Sequence, residues 1–241
     1  MKKKVFIGFD PREVDAYHVA RHSIMERASG VVPVLGIDLS ELRHDGLYWR
    51  ETETRDNRLW DVISDAPMST EFAISRFLVP HLANYEGWAV FMDCDVLVRT
   101  DISHLFALAD ERYAVMCVKH VYEPQEGVKM DNQAQLRYAR KNWSSVMLFN
   151  CAHPSNKALG PQYINSVPGR DLHRFAWLPD DQIGDLDHSW NWLVGHSSSN
   201  IDPDIVHFTE GGPWFKGYEK VAFADEWLAE FEKVKPQAVA V

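Results

Sequence analysis

Long apolar runs are missing from this 241-residue sequence, and none approaches the ~18 residues of a membrane span. A basic surplus is missing too. Lys and Arg number 25 against 35 Asp and Glu, a net charge of −10, which excludes a broad nucleic-acid footprint. Cysteine is scarce: Cys94, Cys117 and Cys151 are odd in number and scattered, which suits reduced thiols in a cytosol. In that setting the sequon at Asn142-Trp143-Ser144 carries no meaning. The lysines of MKKKVFIGFD are followed by five apolar or small residues before Asp10, short of the roughly 7–15 of a signal-peptide core. No repeat, low-complexity tract or Ser/Gly linker divides the chain. These absences lead us to expect an acidic cytoplasmic protein with one domain over residues 1–235 and a loose tail at 236–241. They set no oligomeric state.

What is present is an alternation of strands and helical segments. KVFIGF (4–9), VVPVLGIDL (31–39), 88–92, YAVMCVKHV (113–121) and SVMLFN (145–150) read as strands, with DIVHF (204–208) as a late short one. Residues 12–28 and 70–82, the latter interrupted near Pro80, read as helices, as does a stretch near 155–166. Residues 40–66 read as a loop or short helices. Near-continuous apolar strands in βα alternation predict a mostly parallel sheet covered on both faces, with ligands outside its carboxyl ends.

One such end is GWAVFMDCDVLVRTD, residues 87–101, where an apolar run meets Asp93 and Asp95. Acids at i and i+2 of a regular strand point the same way and repel when partly buried. A divalent cation removes that repulsion, and paired carboxylates suit Mg²⁺ or Mn²⁺. Cys94, a soft ligand, reads as a small packing residue. The alternative is a strand-end cap facing water.

Two families write an acid-x-acid after a strand. MDCDVLV resembles the opening motif of the haloacid dehalogenase-like phosphatases, in which the first acid is a nucleophile and the second a general acid. Against that reading, about ninety residues with two strands precede the motif, and no lysine motif follows it. More of the chain resembles the GT-A glycosyltransferases, and within them the glycogenin-like family 8 enzymes. VFIGFD resembles their first nucleotide-binding strand, TEFAISRFLVPHL their arginine-bearing helix, and WAVFMDCDVLVRTDISHLF their D-x-D strand and following helix. SSVMLFN, LPDDQIGDL and VHFTEGGPWF resemble the N-(S/A)-G strand, the D-Q-D-x-L-N helix and the closing H-x-x-G-x-x-K-P-W element. The pieces stand in family order from residue 5 to about 218.

The resemblance implies a single Rossmann-like GT-A domain, a Mn²⁺ or Mg²⁺ ion on Asp93, Asp95 and His207, and transfer of a hexose from a UDP-sugar donor with its anomeric configuration retained. It implies donor contacts from Asp10, Tyr17, Arg76, Asp93, Gly211, Gly212 and Lys216, with Asp181 and Gln182 flanking the reacting sugar. The two glycines would let the backbone approach phosphate. Each residue also has a plainer reading: a turn at Asp10, core packing at Tyr17, a snorkelling cation at Arg76. For Asp180 and Asp181 it is a helix N-cap. The sequence departs from the family in places. The closing motif is one residue shorter, Gly212 stands where its lysine would fall, and Trp143-Ser144-Ser145 replaces N-(S/A)-G. Lys216 or Lys220 could supply the missing charge. A nucleotide-sugar-binding protein without turnover is therefore a third reading, and the acceptor is unspecified.

His18 and His22 have helical i, i+4 spacing without a third ligand, which argues against zinc. Trp190 and Trp192 read as packing. Phe223, Trp227 and Phe231 form the docking stripe of a last helix whose acids argue against an anionic membrane.

Overall fold

WAVFM folds as a strand with all five residues buried, and the other elements are arranged around it. This computed structural model describes residues 2–120, 140 and 142–235; Val121 and the tail at 236–241 lie outside the described residues. In chain order the elements are β1 (Lys3–Gly8), α1 (Val14–Arg27), β2 (Val34–Ile37), α2 (Leu39–His44), β3 (Thr52–Arg55), β4 (Arg58–Asp61), β5 (Ala66–Pro67), α3 (Val79–Leu82) and β6 (Trp88–Met92). There follow β7 (Val96–Val98), α4 (Ile102–Ala107), β8 (Val115–Cys117), β9 (Val146–Asn150), α5 (Pro161–Ile164), α6 (Gly169–His173) and β10 (Ile183–Asp185). The last are β11 (Trp192–Leu193), β12 (Ile205–His207) and α7 (Ala224–Val234).

Among the described residues the main sheet runs β10-β8-β9-β6-β1-β2. Every strand but β9 points the same way. The expected mixed α/β architecture with a mostly parallel sheet is what forms. A smaller sheet, β11-β12-β7, stands at the carboxyl end of β6, with β12 antiparallel to β7.

Local structure departs from expectation where turn chemistry overrides periodicity. Residues 40–66 hold α2 and an antiparallel ribbon, β3-β4-β5. Asp56 and Asn57 both take positive φ, 50° and 60°, which is the two-residue hairpin turn these residue types tolerate. The ribbon is pinned by Arg50, whose Nε donates to Asp61 Oδ1 at 2.8 Å while Nη1 reaches the Ile164 and Val167 carbonyls at 2.7 Å. Segment 70–82 is not one helix: a 3-10 turn, Ser75–Leu78, leads into α3, and Pro80 lies in the first turn of α3, where its missing N–H costs nothing. Segment 155–166 breaks at Gly160 into a 3-10 turn, Pro154–Ala158, and α5.

Helix α7 begins after Phe223, whose φ of 63° is left-handed, and Trp227 stacks on Phe231 at 5.3 Å. Glu230 of α7 reaches back to α1, accepting from His22 Nδ1 at 2.6 Å and Arg27 Nη1 at 3.2 Å. His22 is thereby paired with an acid. All three cysteines are free and buried.

Candidate metal and donor site

The D-x-D segment is the crossing between the two sheets. Asp93 N donates to Ser145 O at 2.9 Å, extending the β6–β9 ladder by one rung. Two residues on, Asp95 O accepts from Phe208 N at 2.9 Å and so belongs to the smaller sheet. The β12–β7 register sets His207 opposite Val96, and therefore beside Asp95. Among the described residues, Asp93, Asp95 and His207 form the group whose ligand atoms all lie within 4.8 Å of one another. Cys94, between the acids, is buried, as its packing role requires.

Asp93 and His207 are each held from behind. Arg76, 4% exposed, donates through Nη1 to Asp93 Oδ1 at 2.7 Å and to Ser144 O at 2.9 Å. Its guanidinium lies over the rings of Phe72 and Phe91, at 5.2 and 5.0 Å. His207 Nδ1 lies 2.9 Å from Asn191 Oδ1. Asn191 Nδ2 donates to Ser145 Oγ at 2.9 Å and to the Asn142 carbonyl at 3.2 Å, which fixes the amide so that Oδ1 can only accept. Nδ1 of His207 therefore carries a proton, and Nε2 is the atom turned toward Asp95 Oδ1, 3.3 Å away. Orienting a ligand histidine by hydrogen-bonding its other nitrogen is typical of metal sites.

A cation fits this corner. Asp95 Oδ1 is buried and no hydrogen-bond partner satisfies it among the described residues. Burial, opposed by Arg76 and reinforced by Asp95, pushes the Asp93 carboxyl up to about 7. Burial pulls the His207 imidazole down, yet Asp95 holds it above its ordinary value; in return His207 keeps Asp95 low. Two acids and an imidazole that compete for protons in this way are a donor set for a hard-to-borderline divalent ion. A third acid stands close by. Glu13, at the start of α1, is pushed up to about 8 by burial and then by Asp95 and Asp10, and it accepts from Trp214 Nε1 at 3.2 Å.

The other expected site residues divide. Asp10 is not a free ligand for a nucleoside. It is fully buried, and its oxygens already accept from Arg12 N and Nε at 2.9 Å, Arg12 Nη2 at 2.7 Å and Glu71 N at 3.1 Å. Tyr17 packs edge-on to Phe9 at 5.2 Å, and its hydroxyl sits against Gly36 of β2, half-buried at the edge of the core. Arg76 supports Asp93 rather than snorkelling. A Cβ on Gly212 would lie 2.0 Å from the Trp214 ring, so this glycine makes room for tryptophan; Gly211, at φ 131°, faces Tyr218. Lys216 and Lys220 are exposed.

Asp181 and Gln182 fall outside the metal corner. The stretch expected as a helix is a 3-10 turn, Asp180–Gln182, running straight into β10. Register aligns Ile183 with Val115, Val115 with Phe149 and Phe149 with Ala89, so Gln182 is level with the first residue of β6. Asp93 lies five residues further along, about 16 Å at ~3.3 Å per residue. Gln182 Oε1 accepts from Ser155 Oγ at 2.6 Å, and Asp181 is exposed. The cap reading fails as well: Pro179 is the cap residue, without a side-chain bond, and Asp180 pairs with Arg140. Asn191 and Glu13 went unnoticed in the sequence. An asparagine between two buried tryptophans was the signal for the first; an acid one turn beyond the first strand was the signal for the second.

No family model matches the chain. The fold is that of the GT-A glycosyltransferases. WbbM, a bifunctional glycosyltransferase, superposes with a TM-score of 0.61 at 16% identity, over 95% of this chain and 49% of WbbM. The galactosyltransferase LgtC, solved with donor and acceptor sugar analogs, superposes with 0.60 at 13% identity over 97% of both chains. The glycosyltransferase GlyE of Streptococcus pneumoniae gives 0.59 at 15%, over 95% of this chain and 61% of GlyE. The chain belongs to the same family as Protein CDI of Arabidopsis thaliana, with 47% identity over 235 residues, 95% of this chain and 86% of that protein. No helix among the described residues is long and apolar enough to cross a membrane.

Proposed function

We propose that the protein is a divalent-metal-dependent glycosyltransferase that moves a hexose from a UDP-sugar, with retention, to an acceptor not yet specified, and that it works in the cytoplasm. The observation that carries this reading is the Asp93–Asp95–His207 corner at the carboxyl end of the central strand, with His207 Nε2 turned toward an unsatisfied Asp95 oxygen. Asp93, Asp95 and His207 would hold the ion, with Mn²⁺ favoured by the imidazole. When bound, the ion supplies Lewis acidity for the charge that grows on a departing nucleoside diphosphate. Arg76 opposes the burial that raises the Asp93 carboxyl and keeps it aimed; Asn191 keeps His207 in the ligating tautomer. The Gly211–Phe215 stretch, which Trp214 ties to Glu13, would close over the diphosphate, with Lys216 or Lys220 adding charge. Three buried thiols suit a reducing compartment.

One observation favours binding without turnover as the second reading: the residues matched to the family's reacting face, Asp181 and Gln182, lie away from the metal corner. A thermal-shift series separates the possibilities. UDP, UDP-glucose and UDP-galactose should raise the melting temperature only with Mn²⁺, and slow metal-dependent release of free sugar from the donor should accompany it. Stabilisation without sugar release would favour the binding protein. Metal-independent stabilisation, or phosphate released from sugar phosphates, would refute the transferase.

A further inference from the structure

Helix α1 carries a histidine pair that the donor site does not use. His18 and His22 stand one turn apart and line the same cleft, of about 460 Å³, with Arg21, Met25, Glu26 and, from α7, Val234. Histidines at i and i+4 on one helical face can share a metal ion. Sequence spacing shows no third partner for the pair. The fold supplies one behind His22.

That partner is Glu230 of α7. It is buried, and its oxygens accept from His22 Nδ1 at 2.6 Å, Arg27 Nη1 and Nη2 at 3.2 and 3.3 Å, and Lys233 Nζ at 3.2 Å. Burial opposes its ionisation, yet Arg27, His22 and Lys233 hold the carboxyl down at about 2. An ionised carboxylate only accepts, so His22 Nδ1 carries a proton. Nε2 is then the free atom of a ring that is 28% exposed and lines the cleft. A carboxylate behind one ring nitrogen, with the other nitrogen accessible, is how proteins present histidine to metals. His18 and Glu26, one turn to either side of His22, are exposed and have no hydrogen-bond partner among the described residues. Both can turn toward an ion at His22.

We propose that His22, with His18 and Glu26, binds a Zn²⁺ ion in this cleft, separate from the Asp93–Asp95–His207 corner. The proposal stands apart from the glycosyl-transfer reading. Two imidazoles and one carboxylate suit Zn²⁺ better than Mg²⁺ or Mn²⁺, with water completing the tetrahedron. Glu26 offsets the charge of Arg21 on the same lining. Through His22 and Glu230 the ion would fasten α1 to α7, whose Trp227 packs on Trp214 at 5.0 Å.

Calorimetry on the full chain carrying Asp95→Asn, which disables the first metal corner, isolates the cleft. Zn²⁺ and Mn²⁺ are titrated into that protein and into versions that add His18→Ala, His22→Gln or Glu230→Gln, with a melting curve for each. The Asp95→Asn protein should keep one Zn²⁺ site, favoured over Mn²⁺ by at least about tenfold. His22→Gln retains a donor for Glu230 and removes the ligand, so the fold should persist while Zn²⁺ binding is lost. His18→Ala breaks no hydrogen bond and should weaken Zn²⁺ by at least about tenfold, and Glu230→Gln by about 10–100-fold. Zn²⁺ should raise the melting temperature of the Asp95→Asn protein and leave that of its His22→Gln version unchanged. Absence of Zn²⁺ binding in the Asp95→Asn protein, or binding that neither histidine change moves, overturns the proposal. Inorganic phosphate that binds without any Zn²⁺ site, and is lost in Arg21→Ala, would overturn it in favour of an anion site.

Discussion

The two ends of the main sheet carry comparable chemistry and differ in what holds it. At the carboxyl end, Asp93, Asp95 and His207 converge because a strand crossing and a register bring them together, and Arg76 and Asn191 fix them from behind. At the amino end, Asp180, Asp181 and Gln182 form an acid-rich turn whose contacts are to Arg140 and Ser155. Side-chain type alone does not separate a candidate ligand set from a surface turn. Strand polarity and the support behind each group do.

The comparison breaks most readily at Asn191. Asn191→Leu removes the acceptor that fixes the His207 tautomer, and Mn²⁺ affinity should fall about 10–100-fold. Asn191→Asp keeps an acceptor there and should retain most of the affinity. Equal metal affinity for the leucine variant, measured by calorimetry, would mean that the histidine is oriented by something else.

A smaller effect follows from pH. Metal binding displaces protons from Asp93, at about 7, and from His207, held above its ordinary value. Mn²⁺ affinity should climb between pH 6 and pH 8, about tenfold per unit for each proton displaced. The same acids govern stability. Asp93 and Glu13 have raised carboxyl pKa values, so the folded chain binds their protons more tightly than the unfolded one. Their contribution is fully present below the ordinary carboxylate range and is lost as pH rises through about 7 and 8. The melting temperature without metal should drop between pH 5.5 and pH 8.5, and drop less with Mn²⁺. A flat profile without metal would show that these acids are not held as described.

The smallest effect belongs to the amino end. Asp181→Asn should leave turnover within about twofold, far below the ~10²–10³ cost of a transition-state contact. Gln182→Ala should lose about 1 kcal/mol of stability with its bond to Ser155. A hundredfold loss of rate in Asp181→Asn would return that residue to the reaction.

Much of the architecture was legible beforehand. The strands at 88–92 and 145–150 were plain because both are buried on two faces and read as unbroken apolar runs. Asp93, Asp95 and His207 were legible because an acid pair interrupting such a run, and a histidine before a glycine-rich turn, have few structural uses. The β3-β4 ribbon was missed because β3 is largely exposed, β4 is only half-buried, and both carry charges of each sign; its Asp56-Asn57 turn was the available sign. Asp10 and Arg76 were legible as important, yet their partners were not. A one-dimensional reading cannot show that Arg12 folds back onto Asp10, or that Arg76 points at Asp93. Asp181 and Gln182 were misplaced because motif order says nothing of which end of a strand a turn precedes.

The central claim is that one divalent ion shared by Asp93, Asp95 and His207 binds a nucleoside diphosphate. It is tested most directly by titrating UDP into wild type and Asp95→Asn, with and without Mn²⁺, alongside a melting curve for each. Wild type should bind UDP tightly only with Mn²⁺, and Asp95→Asn should lose that dependence with at least an ~100-fold drop in affinity while remaining folded. Unchanged Mn²⁺-dependent binding in Asp95→Asn would contradict the claim and leave the two acids as a strand-end cap.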